Sequence, residues 1–233
     1  MIDWHSHILP GMDDGSEDVA ESLAMLELQA AQGIKTVIAT PHFYANDEAV
    51  EAFVLRRQKA YEELKAKLPK DAPQILLGAE VRYYRGISRM ENIQSLQIQG
   101  SNLLLLEMPM REWTESMIKD LLELSGHSGV QLILAHVERY LSFQKRETWE
   151  RLYENGILMQ VNASFFTGFM SRRKAINLLQ ENLVHVVGSD CHNLTTRPPQ
   201  LGKAFEAIGK KLGDRFLEQM EQYGYSLLTA TNQ

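Results

Sequence analysis

The sequence predicts a single α/β domain in which seven parallel β-strands, most of them followed by a helix, close into a barrel. Seven short apolar runs rich in Val, Ile and Leu recur along the 233 residues. Such nearly continuous hydrophobicity is typical of parallel strands covered on both faces. Helical periodicity fills most of the intervals. Potential metal ligands follow six of the seven runs, and the carboxyl ends of barrel strands all open onto one mouth.

The elements follow one another in a regular order. The first strand is expected at 1–5, and apolar residues then recur every three or four positions from 19 to 30, with Ser16 as the expected N-cap and Gly33 as the stop. Further strands are expected at 36–40, 74–80, 103–107, 131–136, 157–162 and 184–189. Further helices are expected at 53–68, 114–125, 146–154 and 171–181, with one or two after Pro199. Because no linker or internal repeat interrupts this order, we expect one domain over residues 1–233.

An open, doubly wound α/β sheet is the alternative fold. Such a sheet concentrates its site at one topological switch point. Here the candidate ligands follow strands one, two, three, four, five and seven, and only a barrel mouth gathers all of these positions. The distribution of ligands therefore favours the barrel.

Nine acidic and histidine side chains at or just beyond strand ends are candidate metal ligands. His5 and His7 are alternate residues, so both imidazoles can point to one ion. Glu80 and Glu107 end apolar strands, where an unpaired carboxylate would be costly. Asp13 competes with its neighbour for a ligand role in a glycine-bounded turn. The candidates are His5, His7, Asp14, His42, Glu80, Glu107, His136, Asp190 and His192. Imidazole and carboxylate sets suit Mn²⁺, Fe or Zn²⁺ better than Ca²⁺.

Two arginines are expected at the same mouth. Arg139 follows His136 by three residues, and Arg197 follows His192 by five. A guanidinium group binds phosphate through two parallel hydrogen bonds, so the pair predicts an anion clamp. Arg82 is a weaker candidate for the same task. The remaining two histidines, at positions 127 and 185, are placed outside the site.

The composition excludes several other functions. The formal net charge is −6, and no Lys/Arg run indicates binding to nucleic acid or to a membrane surface. No apolar run approaches the ~18 residues that span a bilayer, so no membrane insertion is expected. The single cysteine, Cys191, fits a reducing compartment, and we expect a cytoplasmic protein.

Taken together, the motifs resemble the PHP (polymerase and histidinol phosphatase) superfamily. The opening MIDWHSHILPGMDDGSED and the later TPHF, GAEV, LEMP, LAHVERY and GSDCHN are similar to the bacterial manganese-dependent protein-tyrosine phosphatases of capsule and exopolysaccharide systems, the CpsB/YwqE family. The resemblance extends in register from residue 1 to about residue 200. It implies a distorted (β/α)7 TIM-like barrel of the PHP type, built around three metals.

The resemblance also implies roles for the candidate residues. It implies up to three divalent ions, Mn²⁺ by preference, at sites that could equally take Fe, Co or Zn. Arg139 and Arg197 would bind the phosphate, and Glu80 would bridge two metals as part of the catalytic machinery. The implied ligand sets are His5, His7, Glu80 and Asp190; Glu80, Glu107 and His136; and Asp14, His42 and His192.

The implied activity is phosphomonoester hydrolysis by water, without a covalent enzyme intermediate. The implied substrate is a phosphotyrosine protein, the tail of a bacterial tyrosine autokinase that regulates capsular or extracellular polysaccharide synthesis. A small-molecule phosphatase such as a histidinol-phosphate hydrolase is one alternative, and a non-catalytic, metal-stabilised regulatory module is a second. A cysteine phosphatase is a third, because Cys191 and Arg197 fit the C-x5-R pattern. The intervening HNLTT, however, lacks the glycine of such a loop.

Overall fold

Parallel strand segments form the wall of a barrel in the computed structural model, which describes residues 1–127 and 129–230. The segments are β1 (Ile2–Ser6), β2 (Thr36–Ala39), β3 (His42–Phe43), β4 (Gln74–Leu77), β5 (Glu80–Arg82), β6 (Leu103–Glu107), β7 (Gln131–Leu134), β8 (Leu158–Asn162) and β9 (Val186–Gly188). One sheet has the order β1-β2-β4 and the other the order β3-β5-β6-β7-β8-β9, and every pair is parallel.

The nine segments fill seven positions around the barrel. β2 and β3 are two parts of one strand, separated by Thr40 and Pro41, and a similar break separates β4 from β5. Backbone hydrogen bonds continue across the breaks, since Glu80 N donates to the carbonyl oxygen of Pro41 at 3.0 Å. Seven strand positions were predicted and are confirmed. The second strand ends close to its predicted end at residue 40 and resumes beyond Pro41, which has no N–H to donate to the ladder. The third strand, predicted to be continuous over 74–80, is instead broken at Gly78 and Ala79.

The barrel is closed between β9 and β1 just beyond the end of β9. Asp190 N donates to the carbonyl of His5 at 2.7 Å, and His7 N donates to the carbonyl of Cys191 at 2.9 Å. The strands approach closely because position 188 is glycine: a Cβ on Gly188 would lie 2.5 Å from the Cβ of His5. The first and last strands are therefore neighbours, as the barrel prediction requires.

Along the barrel strands, the inward-facing side chains change from apolar to polar. Residues two apart share a face of a strand. In β6, Leu103 and Leu105 belong to the interior apolar cluster, and Glu107 follows at the carboxyl end. In β8, Leu158 belongs to that cluster and Asn162 follows. The barrel is thus filled with apolar side chains at one end and lined with polar ones at its mouth.

The helices cover the outside of the barrel and one of its ends. They are α1 (Val19–Ala31), α2 (Val50–Lys65), α3 (Glu115–Ser125), α4 (Arg146–Glu154), α5 (Phe169–Gln180), α6 (Leu201–Leu212) and α7 (Asp214–Thr229). In α7, Leu227 and Leu228 pack against the interior apolar cluster, and a Cβ on Gly224 would lie 3.3 Å from Trp4. The last helix therefore closes the end of the barrel opposite the mouth.

The start of α1 corrects one prediction. Asp18, not Ser16, is the N-cap, and its Oδ1 accepts a hydrogen bond from Glu21 N at 2.9 Å. Ser16 Oγ instead donates to the carbonyl of Asp18 at 2.9 Å. A carboxylate suits this place because it also meets the positive end of the helix dipole. Within the described parts of the chain, none of the helices combines the length and the apolar character needed to cross a bilayer.

Candidate metal centre

A bulge in β1 directs the first two histidines into the barrel. Asp3 pairs with Val37 and Ser6 with Ala39, so two residues of β1 stand opposite one residue of β2. A bulge of this kind shifts which residues face inward and re-aims side chains near sites. Trp4 therefore lies in the interior apolar cluster, while the next residue, a histidine, points to the mouth.

Glu80 lies at the middle of the cluster and is 1% exposed. Its Oε2 is 3.1 Å from His5 Nε2, 3.3 Å from His7 Nε2 and 3.0 Å from His42 Nδ1. Its Oε1 is 2.8 Å from His136 Nε2. One carboxylate thus contacts four imidazoles from three other strand ends, which is the arrangement that a bridging ligand needs.

The other candidate ligands extend the cluster on both sides. Asp190 Oδ1 lies 3.5 Å from Nε2 of both His5 and His7. Glu107 Oε1 lies 3.8 Å from His136 Nε2. At the outer edge, Asp14 Oδ1 lies 3.5 Å from His42 Nε2 and 3.4 Å from His192 Nε2. All nine predicted ligands are brought together, and three groups have potential ligand atoms within 4.8 Å of one another: His7, Asp14, His42 and His192; His5, His7 and Asp190; and His42, Glu80 and Glu107.

Hydrogen bonds fix four of the five histidines in one orientation, with Nδ1 against a neighbour and Nε2 toward the cluster. The neighbours are Gln160 Oε1 for His5 (3.3 Å), Asp13 Oδ2 for His7 (2.7 Å), Tyr140 Oη for His136 (3.0 Å) and the Asp190 carbonyl for His192 (3.0 Å). When Nδ1 carries the proton and donates it there, Nε2 keeps a free lone pair. Metal-binding histidines almost always have such an outer partner.

Several buried atoms of the cluster lack hydrogen-bond partners. They are His192 Nε2, Glu107 Oε2 and His42 Nδ1. The last is 3.0 Å from Glu80 Oε2 but outside hydrogen-bond geometry, and none of the three makes a hydrogen bond within residues 1–127 or 129–230. Burying such atoms without a partner is costly, and binding a cation removes the cost. Together with the orientation of the histidines, these atoms show that the residues present fit divalent cations of the Mn²⁺, Fe²⁺ or Zn²⁺ type.

The carboxylates and histidines of the cluster shift one another's pKa values. Burial alone would raise the pKa of Glu80, but the surrounding histidines, His5 first, hold it well below its ordinary value. The pKa of Asp190 is likewise held well below its ordinary value, against the effect of burial, by His5 and His7. Burial lowers the pKa of His192 to about 4, and the neighbouring His7 adds to the effect. Glu80 and Asp190 are therefore ionised and His192 is neutral. Against the effect of burial, Glu80 and Asp190 raise the pKa of His5 and Asp13 raises the pKa of His7, so a bound cation would replace protons on these two imidazoles.

Two ligands have unusual backbone conformations. His136 has φ 34° and Asp190 has φ 52°, both in the left-handed region that side chains other than Gly and Asn rarely adopt. Each lies two residues after the end of a strand, so the chain turns sharply where the side chain points into the mouth. Such conformations cluster at functional sites, where the surrounding structure holds them in place.

Arg139 and Arg197 flank the cluster as predicted. Both bind Asp190, with Arg139 Nη2 2.6 Å from Oδ2 and Arg197 Nη2 2.7 Å from Oδ1. Their side chains are 32% and 37% exposed, so both guanidinium groups can meet an anion entering from solvent. Arg82, the weaker candidate, lies on the other side, 3.7 Å from Glu107 Oε2.

Four supporting residues were missed in the sequence or left undecided. Asp13 contacts the ring of His7 and accepts a hydrogen bond from the backbone N–H of His42 at 2.8 Å. Of the two neighbouring aspartates, Asp13 therefore orients histidines, while Asp14 faces the cluster itself. Gln160 Oε1 accepts from His136 N at 2.7 Å, and Asn162 Nδ2 donates to Asp190 at 2.7 Å. Tyr140 is the fourth supporting residue, and its hydroxyl contacts the ring of His136. The two amides stand at alternate positions in a strand otherwise buried and apolar, and that was the available signal.

The side chains of Cys191, His127 and His185 do not belong to the cluster. Cys191 is fully buried, its Sγ contacts Gln29 Nε2 at 3.6 Å, and burial raises the pKa of its thiol far above the usual range. A buried thiol of this kind is inert rather than nucleophilic. His127 is exposed, and His185 accepts a hydrogen bond from Met159 N at 3.0 Å.

The amino-acid sequence is similar to a known protein family and to individual members of it. The family model described as "Capsular polysaccharide synthesis, CpsB/CapC" matches residues 1–224. The tyrosine-protein phosphatase YwqE of Bacillus subtilis is 33% identical over 228 residues, which cover 91% of this chain and 85% of that protein. The tyrosine-protein phosphatase CpsB of Streptococcus pneumoniae is 30% identical over 239 residues, covering 94% of each.

The fold is also similar to that of a solved structure. This structure comes from work on YwqE from Bacillus subtilis and CpsB from Streptococcus pneumoniae, described as "unique metal-dependent tyrosine phosphatases". It is similar to this chain with a TM-score of 0.84 at 27% identity, over 98% of this chain and 94% of that one. The predicted distorted barrel of the PHP type is thereby confirmed.

Proposed function

The chain belongs to the CpsB/CapC family of capsular polysaccharide synthesis, and from that premise we propose that it is a metal-dependent protein-tyrosine phosphatase. One observation carries the proposal: four imidazoles from three other strand ends converge on the Glu80 carboxylate, with further carboxylates and two arginines beside them. That combination suits hydrolysis of a phosphate ester, in which water must be activated and negative charge neutralised.

We propose up to three divalent cations, with Mn²⁺ as the native metal. His5, His7, Glu80 and Asp190 would hold one, Glu80, Glu107 and His136 a second, and Asp14, His42 and His192 the third. Bound there, the cations would supply a nucleophilic water at neutral pH and neutralise charge on the phosphoryl oxygens. Fe, Co or Zn could bind to the same residues, because the order of affinities among divalent metals is similar at most sites of nitrogen and oxygen ligands.

The protein's own groups have separate tasks in this proposal. Glu80 would serve two of the cation sites, and it stays ionised because its neighbours hold its pKa low. Arg139 and Arg197 bind the phosphoryl oxygens, exchanging part of their contact with Asp190 for contact with the substrate. Asp13 keeps the ring of His7 in the tautomer whose Nε2 faces the cluster. Water attacks phosphorus directly, and tyrosine leaves without a covalent enzyme intermediate.

The substrate that we propose is a phosphotyrosine protein, the tail of a bacterial tyrosine autokinase that controls capsular or extracellular polysaccharide synthesis. The accessibility of the mouth supports a peptide: Asp14 is 66% exposed and His42 15%. A flexible tail can reach such an opening without a deep pocket. We further propose that residues 1–233 form one catalytic domain and that it acts in the cytoplasm, where the free thiol of Cys191 stays reduced.

The test compares a phosphotyrosine peptide and histidinol phosphate, each with Mn²⁺ and with EDTA. We expect Mn²⁺-dependent turnover that favours the peptide. Glu80→Gln should lose both bound metal and turnover, while His127→Gln, an exposed histidine outside the cluster, should keep both. Preference for histidinol phosphate would make this a small-molecule phosphatase. Metal binding without turnover of either substrate would make it a regulatory module, and near-normal turnover by Glu80→Gln with full metal content would refute the assigned role.

A further inference from the structure

We propose that a basic groove between α5 and α6 docks an acidic segment of the phosphotyrosine protein, a proposal that rests on the proposed phosphatase function. The groove is a cavity of about 590 Å³ beside the barrel. A cavity of this size falls in the range of ligand pockets. Its lining includes Phe169, Arg172, Arg173, Ile176, Lys210 and Lys211.

Charge is concentrated at this groove against the trend of the chain. The two helices carry six basic residues and one acidic residue, Glu206, whereas the whole chain has a net charge of −6. Lys210 pairs with Glu206, while Arg172, Arg173 and Lys211 form no ion pair with any residue in 1–127 or 129–230. Their free guanidinium and ammonium groups make the groove complementary to an acidic partner.

The shape of the surface favours a peptide over a lipid bilayer. The basic groups line a concavity, and a flat membrane surface cannot enter it. Phe169, which lines the groove at the start of α5, is 78% exposed. An exposed aromatic ring next to arginine groups offers an apolar anchor and charged contacts together, which are the residue types that carry binding energy at protein interfaces.

The groove begins close along the chain to a residue that contacts the candidate metal centre. Asn162 ends β8 and donates to Asp190 of the cluster at 2.7 Å, and α5 begins at Phe169, seven residues later. α6 packs against the 163–166 turn between them. Seven residues extend at most about 25 Å, so an acidic segment within roughly ten residues of the phosphotyrosine can reach the groove. The substrate class is thus a phosphotyrosine with Asp or Glu nearby.

The experiment measures kcat and KM for two peptides that share one phosphotyrosine. One carries four Asp or Glu residues five to ten positions away, and the other carries Asn or Gln there. The triple variant R172Q/R173Q/K211Q is compared with wild type and with the control triple variant K35Q/K67Q/K70Q. The control removes the same charge from exposed lysines elsewhere. Hydrolysis of p-nitrophenyl phosphate reports the catalytic centre alone.

We expect the groove variant to raise KM for the acidic peptide about three- to tenfold, from three partly screened ion pairs. KM for the neutral peptide, kcat, and hydrolysis of p-nitrophenyl phosphate should stay unchanged, and the effect should shrink in 0.5 M NaCl. An unchanged KM for the acidic peptide would overturn the proposal. So would an equal rise in the control variant, because that would indicate general charge attraction.

A binding measurement separates failure of the groove from failure of the proposed function. Fluorescence anisotropy with the unphosphorylated acidic peptide reports docking even if no phosphotyrosine is hydrolysed, and the groove variant should weaken that binding by the same factor. Sedimentation with phosphatidylglycerol vesicles covers the other class of partner. If the vesicles bind through these three residues while the peptide does not, the groove is a membrane contact and the peptide proposal is wrong.

Discussion

Replacing Gln160 by leucine should weaken metal binding although this residue is not a ligand. Gln160 comes from β8, and among the seven strand positions of the barrel this is the one that supplies none of the nine candidate ligands. Its Oε1 accepts from His136 N at 2.7 Å and faces His5 Nδ1 at 3.3 Å, and its Nε2 donates to Asn162 Oδ1 at 2.9 Å. Through Asn162 it reaches Asp190. One amide thus supports ligands from three strands.

The size of the effect follows from the groups left without partners. Gln160→Leu orphans the backbone N–H of His136 and the ring N–H of His5, and each buried orphan costs about 1–3 kcal/mol. Part of that cost is relieved when the two histidines rotate away from their present positions. Loss of an outer partner typically lowers metal affinity about 10- to 100-fold, equivalent to about 1.4–2.7 kcal/mol. We expect a loss in that range for Gln160→Leu.

The assay is a Mn²⁺ titration followed by calorimetry and by phosphatase activity. Gln97→Leu is the matched control, since Gln97 also holds two groups, the carbonyls of Asn102 and Gly129, far from the cluster. It should lower stability without changing metal affinity. Activity of Gln160→Leu should recover in part at high Mn²⁺. Wild-type affinity in Gln160→Leu would refute the reasoning, because it would mean that the histidines hold their places without this amide.

Three further outcomes follow from the structure. Cys191→Ser should keep Mn²⁺-dependent turnover, and EDTA should abolish it; the reverse pattern would indicate a cysteine phosphatase. Gly188→Ala should lower both Tm and metal affinity, because the added Cβ would clash with the Cβ and backbone nitrogen of His5. Overpacking of this kind costs about 1–3 kcal/mol. A variant with wild-type Tm and wild-type metal affinity would contradict the close approach of the two strands. His185 has a pKa lowered by burial to about 4, below its value near 6.5 in the unfolded chain, so the unfolded state binds the proton first as pH falls. The unfolding free energy should therefore drop between pH 7 and pH 5 by about 1–2 kcal/mol more than in His185→Gln, measured in urea; parallel curves would show that His185 is not responsible.

The strand ends could be predicted because two independent signals coincide there. An apolar run marks a buried strand, and a charged or imidazole group directly after it marks a costly exception to burial. Glu80 and Glu107 show both signals, and both lie in the cluster. The barrel was predicted for the same reason, since no other parallel arrangement gathers six strand ends at one place.

Other features depend on contacts that no local pattern records. The bulge in β1 is visible only as a shift of register against β2, so the sequence predicted a shared face for His5 and His7 but not the change of face after Trp4. The break at Pro41 could have been predicted from its missing N–H. The cap at Asp18 instead of Ser16 was a choice between two good capping residues, and the path of the preceding turn decided it.

The spread of the ligands along the chain has a consequence for how the protein is made. His5 and His7 are among the first residues synthesised, and Asp190 and His192 arrive after four fifths of the 233 residues. Contacts so distant in sequence require a long loop to close, which costs entropy before the contacts form. A nascent chain on the ribosome can offer scattered histidines but no complete centre until residue 192 has emerged. A cation that takes ligands from both ends of the chain can therefore bind fully only after residue 192 has been made.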